Sequence, residues 1–339
     1  MSAPVAVTGA GVVIERSKEP RRLPPDSALV MGPDGSIPLG HLPEAVRGRA
    51  ARAERVTQLV LAAAGRALAA AGFDAAAAPE TRAGIVLGTA FGCFLTNAAY
   101  QRRLAAEGPA GASPRLFAAT VSNAAAGELA IAYRLAGPAV TVTAGGASGL
   151  AALGEAIELV RAGRADVVVA GGVDALGGAL ADWLGAAGLQ FGGPPAEAGA
   201  VLVLEGPQRT RPGIGRLAGH ATGFEPDPLG PAAGEGLARA IDAACADAGL
   251  SPREIAVVVS GTPPPLAALE DRALAAMLEG RRPRRMSPKT VFGETLGAAG
   301  PLALLAALAE AEPGMPVLVV DACPSGHVAA LVAWAPEVR

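Results

Sequence analysis

Residues 69–89, AAAGFDAAAAPETRAGIVLGT, and residues 246–262, ADAGLSPREIAVVVSGT, decide how this chain is read. Each stretch leaves an alanine-rich segment at a glycine (Gly72, Gly249), crosses a loop containing proline, and climbs an apolar run to a Gly-Thr pair (Gly88-Thr89, Gly261-Thr262). Glycine just past the last periodic residue is a common helix stop, because it enters the left-handed region at little cost. A short apolar run bounded by turn residues suits a buried strand. The second copy is four residues shorter in its loop. A helix–loop–strand unit present twice in one chain implies two similar α/β halves related by a pseudo-twofold and sharing one core.

The elements around these two anchors repeat the same order. In the first half, strands are expected at Val5–Val7 (closed by a glycine turn, Gly9-Ala10-Gly11), Ile85–Leu87, Ala139–Ala144, Val167–Ala170 and Val201–Leu204, with helices at Arg55–Ala71, Asn123–Leu135 and Ala147–Arg161. In the second half, strands are expected at Ile214–Gly219, Ile255–Val259, Arg284–Ser287, Val317–Val320 and Val328–Val332, with helices at Gly236–Ala248, Leu266–Leu278 and Leu302–Ala309. The turn-rich stretch Gly206–Gly213 divides the halves as 1–206 and 207–339.

Composition removes several classes. The 339 residues are 51% hydrophobic and only 17% charged, with a net charge of -3, which describes a packed globular protein. No apolar run reaches the ~18–20 residues of a membrane helix, since Arg66 and Asp182 break the longest candidates. The N-terminus has no basic segment ahead of its apolar stretch, so no secretory leader is read there. Cys93, Cys245 and Cys323 are too few and too scattered for a disulfide framework or a thiolate zinc site, which fits a reducing cytoplasm. A pI near 5.8 argues against a nucleic-acid surface, and the cluster Arg281, Arg282, Arg284 and Arg285 reads as a solvated loop.

Few residues carry an obvious chemistry. Cys323 and His327 lie four apart, but in strand or loop rather than helix, so the spacing says little and a buried structural cysteine is the simpler reading. Cys93 and Cys245 are read the same way. His41 sits in a loop with no carboxylate near it in sequence, and His220 ends an expected strand as a capped or exposed residue. Gly9-Ala10-Gly11 lacks the third glycine and the following helix of a dinucleotide loop. Neither a cofactor nor a metal is implied.

The segments TAGGASGLAALGEAIELVRAGRADVVVAGG (143–172), SGTPPP (260–265) and KTVFGETLGAAG (289–300), within the duplicated layout, resemble the thiolase-fold condensing enzymes, in particular the β-ketoacyl-acyl-carrier-protein synthases of type II fatty acid and polyketide systems. The resemblance implies a thiolase-like fold with αβαβα layering. It also implies a cysteine nucleophile at a helix N-terminus, two histidines that stabilise the decarboxylating extender unit, and a lysine supporting the second histidine. Position by position, Gly146 stands where the family has its cysteine, Ser260 at the first histidine and Glu294 at the second, while Lys289 is retained. The glycine-rich gate reads ACPSGHVAAL at 322–331, with Gly326 kept. No acyl-enzyme can form at a glycine, a carboxylate at 294 repels a malonyl carboxylate, and Glu294 is expected to pair with Lys289.

Such losses resemble those of a chain length factor, which forms a heterodimer with an active ketosynthase and shapes its acyl tunnel while a carrier protein delivers substrate. Glycine in place of the commoner glutamine, and the short chain, point to a divergent branch such as the polyene-making systems. On this resemblance, the edge strand at 139–144, with Val140 and Val142 alternating with threonines, would pair with the partner's strand. The loop Ser113–Asn123 would reach the tunnel through Phe117, Thr120 and Asn123. Two other readings stay open: an independent acyl-transferring enzyme with a repurposed cleft, recruiting Ser260, Glu294 or Cys323, and an acyl- or carrier-protein-binding homodimer.

Overall fold

The computed structural model describes residues 3–15, 22–73, 82–188, 194–207, 213–278 and 280–336. Eleven strands are found among them: β1 (Val5–Ile14), β2 (Ala28–Val30), β3 (Ala83–Gly88), β4 (Ala139–Val142), β5 (Val167–Asp174), β6 (Ala198–Glu205), β7 (Gly215–Phe224), β8 (Val257–Ser260), β9 (Arg284–Met286), β10 (Pro316–Ala322) and β11 (His327–Trp334). The helices are α1 (Glu44–Ala50), α2 (Arg55–Ala70), α3 (Phe94–Glu107), α4 (Pro114–Ala118), α5 (Ala124–Tyr133), α6 (Ser148–Arg161), α7 (Gly178–Ala186), α8 (Glu235–Ala248), α9 (Ala267–Leu278), α10 (Lys289–Phe292) and α11 (Ala299–Glu310).

The strands run in the order β4-β3-β5-β6-β1-β7-β11-β10-β8-β9, with β2 beside β1. The order reads the same from either end if each first-half strand is exchanged for its second-half counterpart. The halves meet in a short antiparallel ladder, Val5↔Leu217, Ala6↔Arg216 and Val7↔Gly215.

Strand alternation builds the layers. Val317 and Val319 of β10 face a central core with Val168 and Ala170 of β5, α6 and α11. Leu318, Val320 and Ala322 face outward onto α8 and α9, whereas Val167 and Val169 face α2 and α5. The result is the expected αβαβα stack. Residues 299–308 of α11 are all buried, as a helix packed between the two halves of the sheet requires. Its leucines 302, 304, 305 and 308 each contribute about 1.5–3 kcal/mol relative to exposure.

Several local expectations change. Gly9-Ala10-Gly11 is no turn, because β1 runs straight through it. A Cβ on Gly9 or Gly11 would stand 2.2 Å from Ala67 O or 2.0 Å from Ala63 O, so these glycines let α2 lie directly on the strand. Helix α5 ends at Tyr133 rather than Leu135, with Arg134 at φ 57° closing it. Of the arginine cluster, Arg284 and Arg285 lie in β9, where a strand was expected, and there Arg285 bonds Glu270 at 2.7 Å and Asp271 at 2.5 Å rather than being simply solvated. Helices α1, α3, α4 and α7 occupy stretches read as connections, and α4 lies within the loop expected at Ser113–Asn123. Among the described residues no helix is long and apolar enough to cross a membrane.

Candidate active site

Helix α6 opens on Gly145-Gly146-Ala147, with Gly145 at φ 57°. Ser148 Oγ accepts the Ala144 N–H at 2.7 Å and lies 2.6 Å from Gly145 O and 3.0 Å from Thr89 O, either of which its own proton can reach. The small residues here permit close approach: a Cβ on Gly149 would lie 2.0 Å from Gly297 O, and one on Gly88 2.2 Å from Ser148 O. Gly146 therefore sits at a helix N-terminus, as expected, and offers no side chain.

Asp174, which sequence reading missed, fixes the neighbouring turn. It is fully buried and accepts from Thr89 Oγ1 (2.8 Å), Ala90 N–H (2.9 Å), Phe91 N–H (2.9 Å) and Gly297 N–H (2.7 Å). Burial raises its pKa, and these donors oppose the rise by holding the charged form. The available signal was the strand VVVAGGVD running into an acid. The ladders give its second-half counterpart. Leu87 pairs with Gly171 in β3–β5, and Ser260, ahead of the repeated Gly-Thr, pairs with Val320 in β8–β10. Counting three residues on, Asp174 matches Cys323.

Cys323 faces the α6 turn from the opposite half. It is 2% exposed. Its sulfur lies 3.3 Å from Ala144 O and 2.9 Å from Ser325 Oγ, and Ser325 Oγ lies 3.1 Å from His327 Nδ1. A Cβ on Gly145 would stand 2.8 Å from the Cys323 sulfur. The β10–β11 hairpin, closed by Cys323 N–H to His327 O at 3.0 Å, thus brings together two residues whose sequence spacing carried no weight. The His327 ring packs edge-on to Phe224, with centroids 5.5 Å apart.

The expected Lys289–Glu294 pair is formed at 2.5 Å, with side chains 9% and 3% exposed. Glu294 Oε1 also accepts the Leu296 N–H at 2.8 Å, so the carboxylate is fully engaged. Ser260 turns away from this pair. Its hydroxyl donates to Glu270 on α9 at 2.6 Å, and Glu270 is held by Arg285. Beside Lys289, Glu294 and Glu270 lies Asp321, 1% exposed, with no side-chain hydrogen bond to either oxygen among the described residues. Burial pushes its pKa well above the carboxylate range; Lys289 opposes the rise, and Glu294 and Glu270 add to it.

The remaining sequence candidates lie elsewhere. Phe117 is 61% exposed and rests on Tyr100 with ring centroids 5.9 Å apart. Thr120 donates through Oγ1 to Phe117 O, while its carbonyl accepts from the Cys93 sulfhydryl at 2.8 Å. Asn123 is exposed ahead of α5 and caps nothing with its side chain. Val140 and Val142 are half-buried against the central core, in the edge strand β4. Beneath this loop a cavity of about 20 Å³, lined by Thr89, Cys93, Ala119 and Thr141 among others, has room for one water. His41 Nε2 meets Ala62 O at 3.0 Å, and His220 Nε2 meets Glu158 at 3.0 Å; Cys245 is buried in α8.

Two family models match this chain: the β-ketoacyl synthase N-terminal domain over residues 42–184 and its C-terminal domain over residues 215–315. The chain belongs to the β-ketoacyl synthase family. Within that family, it is 35% identical over 128 residues to the actinorhodin polyketide β-ketoacyl synthase 2 of Streptomyces coelicolor, a match spanning 36% of this chain and 31% of that protein. Among solved structures, the ishigamide ketosynthase/chain length factor superposes with a TM-score of 0.77 at 24% identity, covering 99% of this chain and all of that one. A type II polyketide synthase acyl-carrier protein in complex with its ketosynthase bound to the hexaketide (AntDE:AntF) gives 0.80 at 21%, with the same coverage. A β-ketoacyl synthase from Burkholderia phymatum STM815 gives 0.77 at 19%, covering both chains completely. These likenesses show the ketosynthase fold.

Proposed function

We propose that this chain is a non-condensing, chain-length-factor-type subunit that pairs with an active ketosynthase in type II polyketide, polyene or fatty acid synthesis. The observation that carries the reading is Gly146: the helix N-terminus that would activate a nucleophile holds none. The Lys289–Glu294 pair supports it, because a buried carboxylate already neutralised by the local lysine leaves no cation for an extender carboxylate.

Pairing would use the β4 edge. The carbonyls of Pro138 and Val142 accept from Ile85 and Thr89 of the β3 segment, so alternation turns the backbone groups of Ala139 and Thr141 outward, free for a partner strand. Phe117, Thr120 and Asn123 would then face the partner's tunnel. The water-sized cavity lined by Thr89, Cys93 and Ala119 would not extend that tunnel, and the loop would close it. A carrier protein would serve the partner, in the cytoplasm.

Co-expression with a ketosynthase that keeps its cysteine and both histidines tests this reading. The expected result is an equimolar complex that Thr141→Pro, which removes an outward N–H, dissociates. A chain that purifies alone and forms β-ketoacyl product from acyl and malonyl thioesters would overturn it.

A further inference from the structure

The β10–β11 hairpin sets a thiol, a hydroxyl and an imidazole in one hydrogen-bonded line directly opposite the side-chain-free turn at Gly145-Gly146. Its position matches that of Asp174, but its surroundings differ. Asp174 is saturated by four donors that lock it into the fold. The sulfur of Cys323 instead meets only Ala144 O and Ser325 Oγ among the described residues, and Ser325 is exposed at the hairpin tip.

A second observation is independent of that line. Asp321 lies two residues earlier, near the C-terminal end of β10. It is 1% exposed and has unfilled hydrogen-bonding positions on both oxygens. A buried polar group without a partner is a cost that a bound polar group would remove.

We propose that Cys323 is an acyl acceptor, taking an acyl group from a thioester and holding it without lengthening it. The inference rests on the functional reading above for its substrate class, a carrier-type thioester. In the step, the Cys323 sulfur attacks the thioester carbonyl, forming a new carbon–sulfur bond as the bond to the donor sulfur breaks. The thiol proton passes by way of Ser325 Oγ to His327 Nδ1, and His327 returns a proton to the departing thiolate. One thioester and one thiol give one thioester and one thiol, with no change of oxidation state. The pair Cys323–His327, bridged by Ser325, has the nucleophile-and-base arrangement such a transfer needs.

The full-length chain, incubated with octanoyl-N-acetylcysteamine, tests this by intact mass and peptide mapping. The expected result is one octanoyl group per chain on Cys323, removed by hydroxylamine, absent in Cys323→Ala and retained in Cys93→Ser. His327→Ala should slow the transfer by about 10²-fold or more. Should Cys323→Ala fail to fold, wild-type chain alkylated with iodoacetamide, with the label mapped to Cys323, takes its place and should refuse the acyl group. No adduct, an adduct confined to Cys93 or Cys245, no alkylation at Cys323, or a rate indifferent to His327→Ala would each overturn the proposal. Complex formation with the active ketosynthase is read separately. Pairing without acylation overturns this inference alone, and acylation without pairing overturns only the heterodimer.

Discussion

A Cβ built on Gly146 stands 3.6 Å from the Cβ of Cys323, so the side-chain-free turn ahead of α6 is already faced by a thiol from the other half of the chain. That separation lies within the ~3.5–4.5 Å that disulfides span. Gly146→Cys is therefore expected to form a 146–323 disulfide on mild oxidation, seen as the loss of two of the variant's four titratable thiols and a crosslinked peptide on non-reducing mapping. The reduced variant should still fail to condense acyl with malonyl thioesters, because Ser260 and Glu294 are unchanged. Two persistent free thiols at these positions would show that the turn and the hairpin are farther apart than described.

Lys289 and Glu294 form a buried ion pair whose removal should be felt in stability. Lys289→Met leaves the Glu294 carboxylate buried without its cation, and a loss of about 3–5 kcal/mol is expected. Adding Glu294→Gln should recover most of that loss, since the cost is the unpaired charge rather than the missing bond. Urea midpoints of the two single variants and the double variant form the required cycle.

Asp321 predicts a pH dependence with a definite sign. Its folded pKa is raised by burial, so between the unfolded carboxylate value near ~3.9 and the higher folded value the native chain binds more protons than the unfolded one. The neutral acid's contribution is complete below that window and is lost as pH rises through it. Asp321→Asn keeps the shape without the charge and should flatten the decline. Unfolding midpoints compared from about pH 5 to about pH 9 will show the variant gaining on the wild type as pH rises, and parallel curves would refute the assignment.

Two glycines should respond oppositely to the same substitution. A Cβ at Gly11 would meet Ala63 O at 2.0 Å, forcing α2 off β1, and Gly11→Ala is expected to cost at least about 3 kcal/mol. Gly127 in α5 has nothing within 4 Å of its Cβ position, so Gly127→Ala should stabilise by up to about 1 kcal/mol through helix propensity. Thermal unfolding of both variants checks the pair.

Strand–helix order was legible because glycine stops such as Gly72 and Gly249 and short valine runs such as Val257–Val259 are local signals. Gly9-Ala10-Gly11 misled because glycine serves both turns and close packing, and only the position of α2 separates the two. Arg134 closes α5 in a left-handed conformation that arginine does not announce. Asp174 gave little warning, since its donors come from residues 89–91 and 297.

Covalent identity at single positions was settled by the sequence alone: position 146 carries no side chain, position 294 carries a carboxylate, and the unit around Gly88-Thr89 is repeated at Gly261-Thr262. What faces those positions was decided by the fold. Residues 146 and 323 are far apart along the chain, and they meet because the two halves of the sheet clamp α6 and α11 between them. Ser260 turns toward α9 because strand alternation sends it to the outer face, and Asp321 goes to the inner one. Side-chain direction and long-range contact are set by packing, which no local pattern of residues encodes.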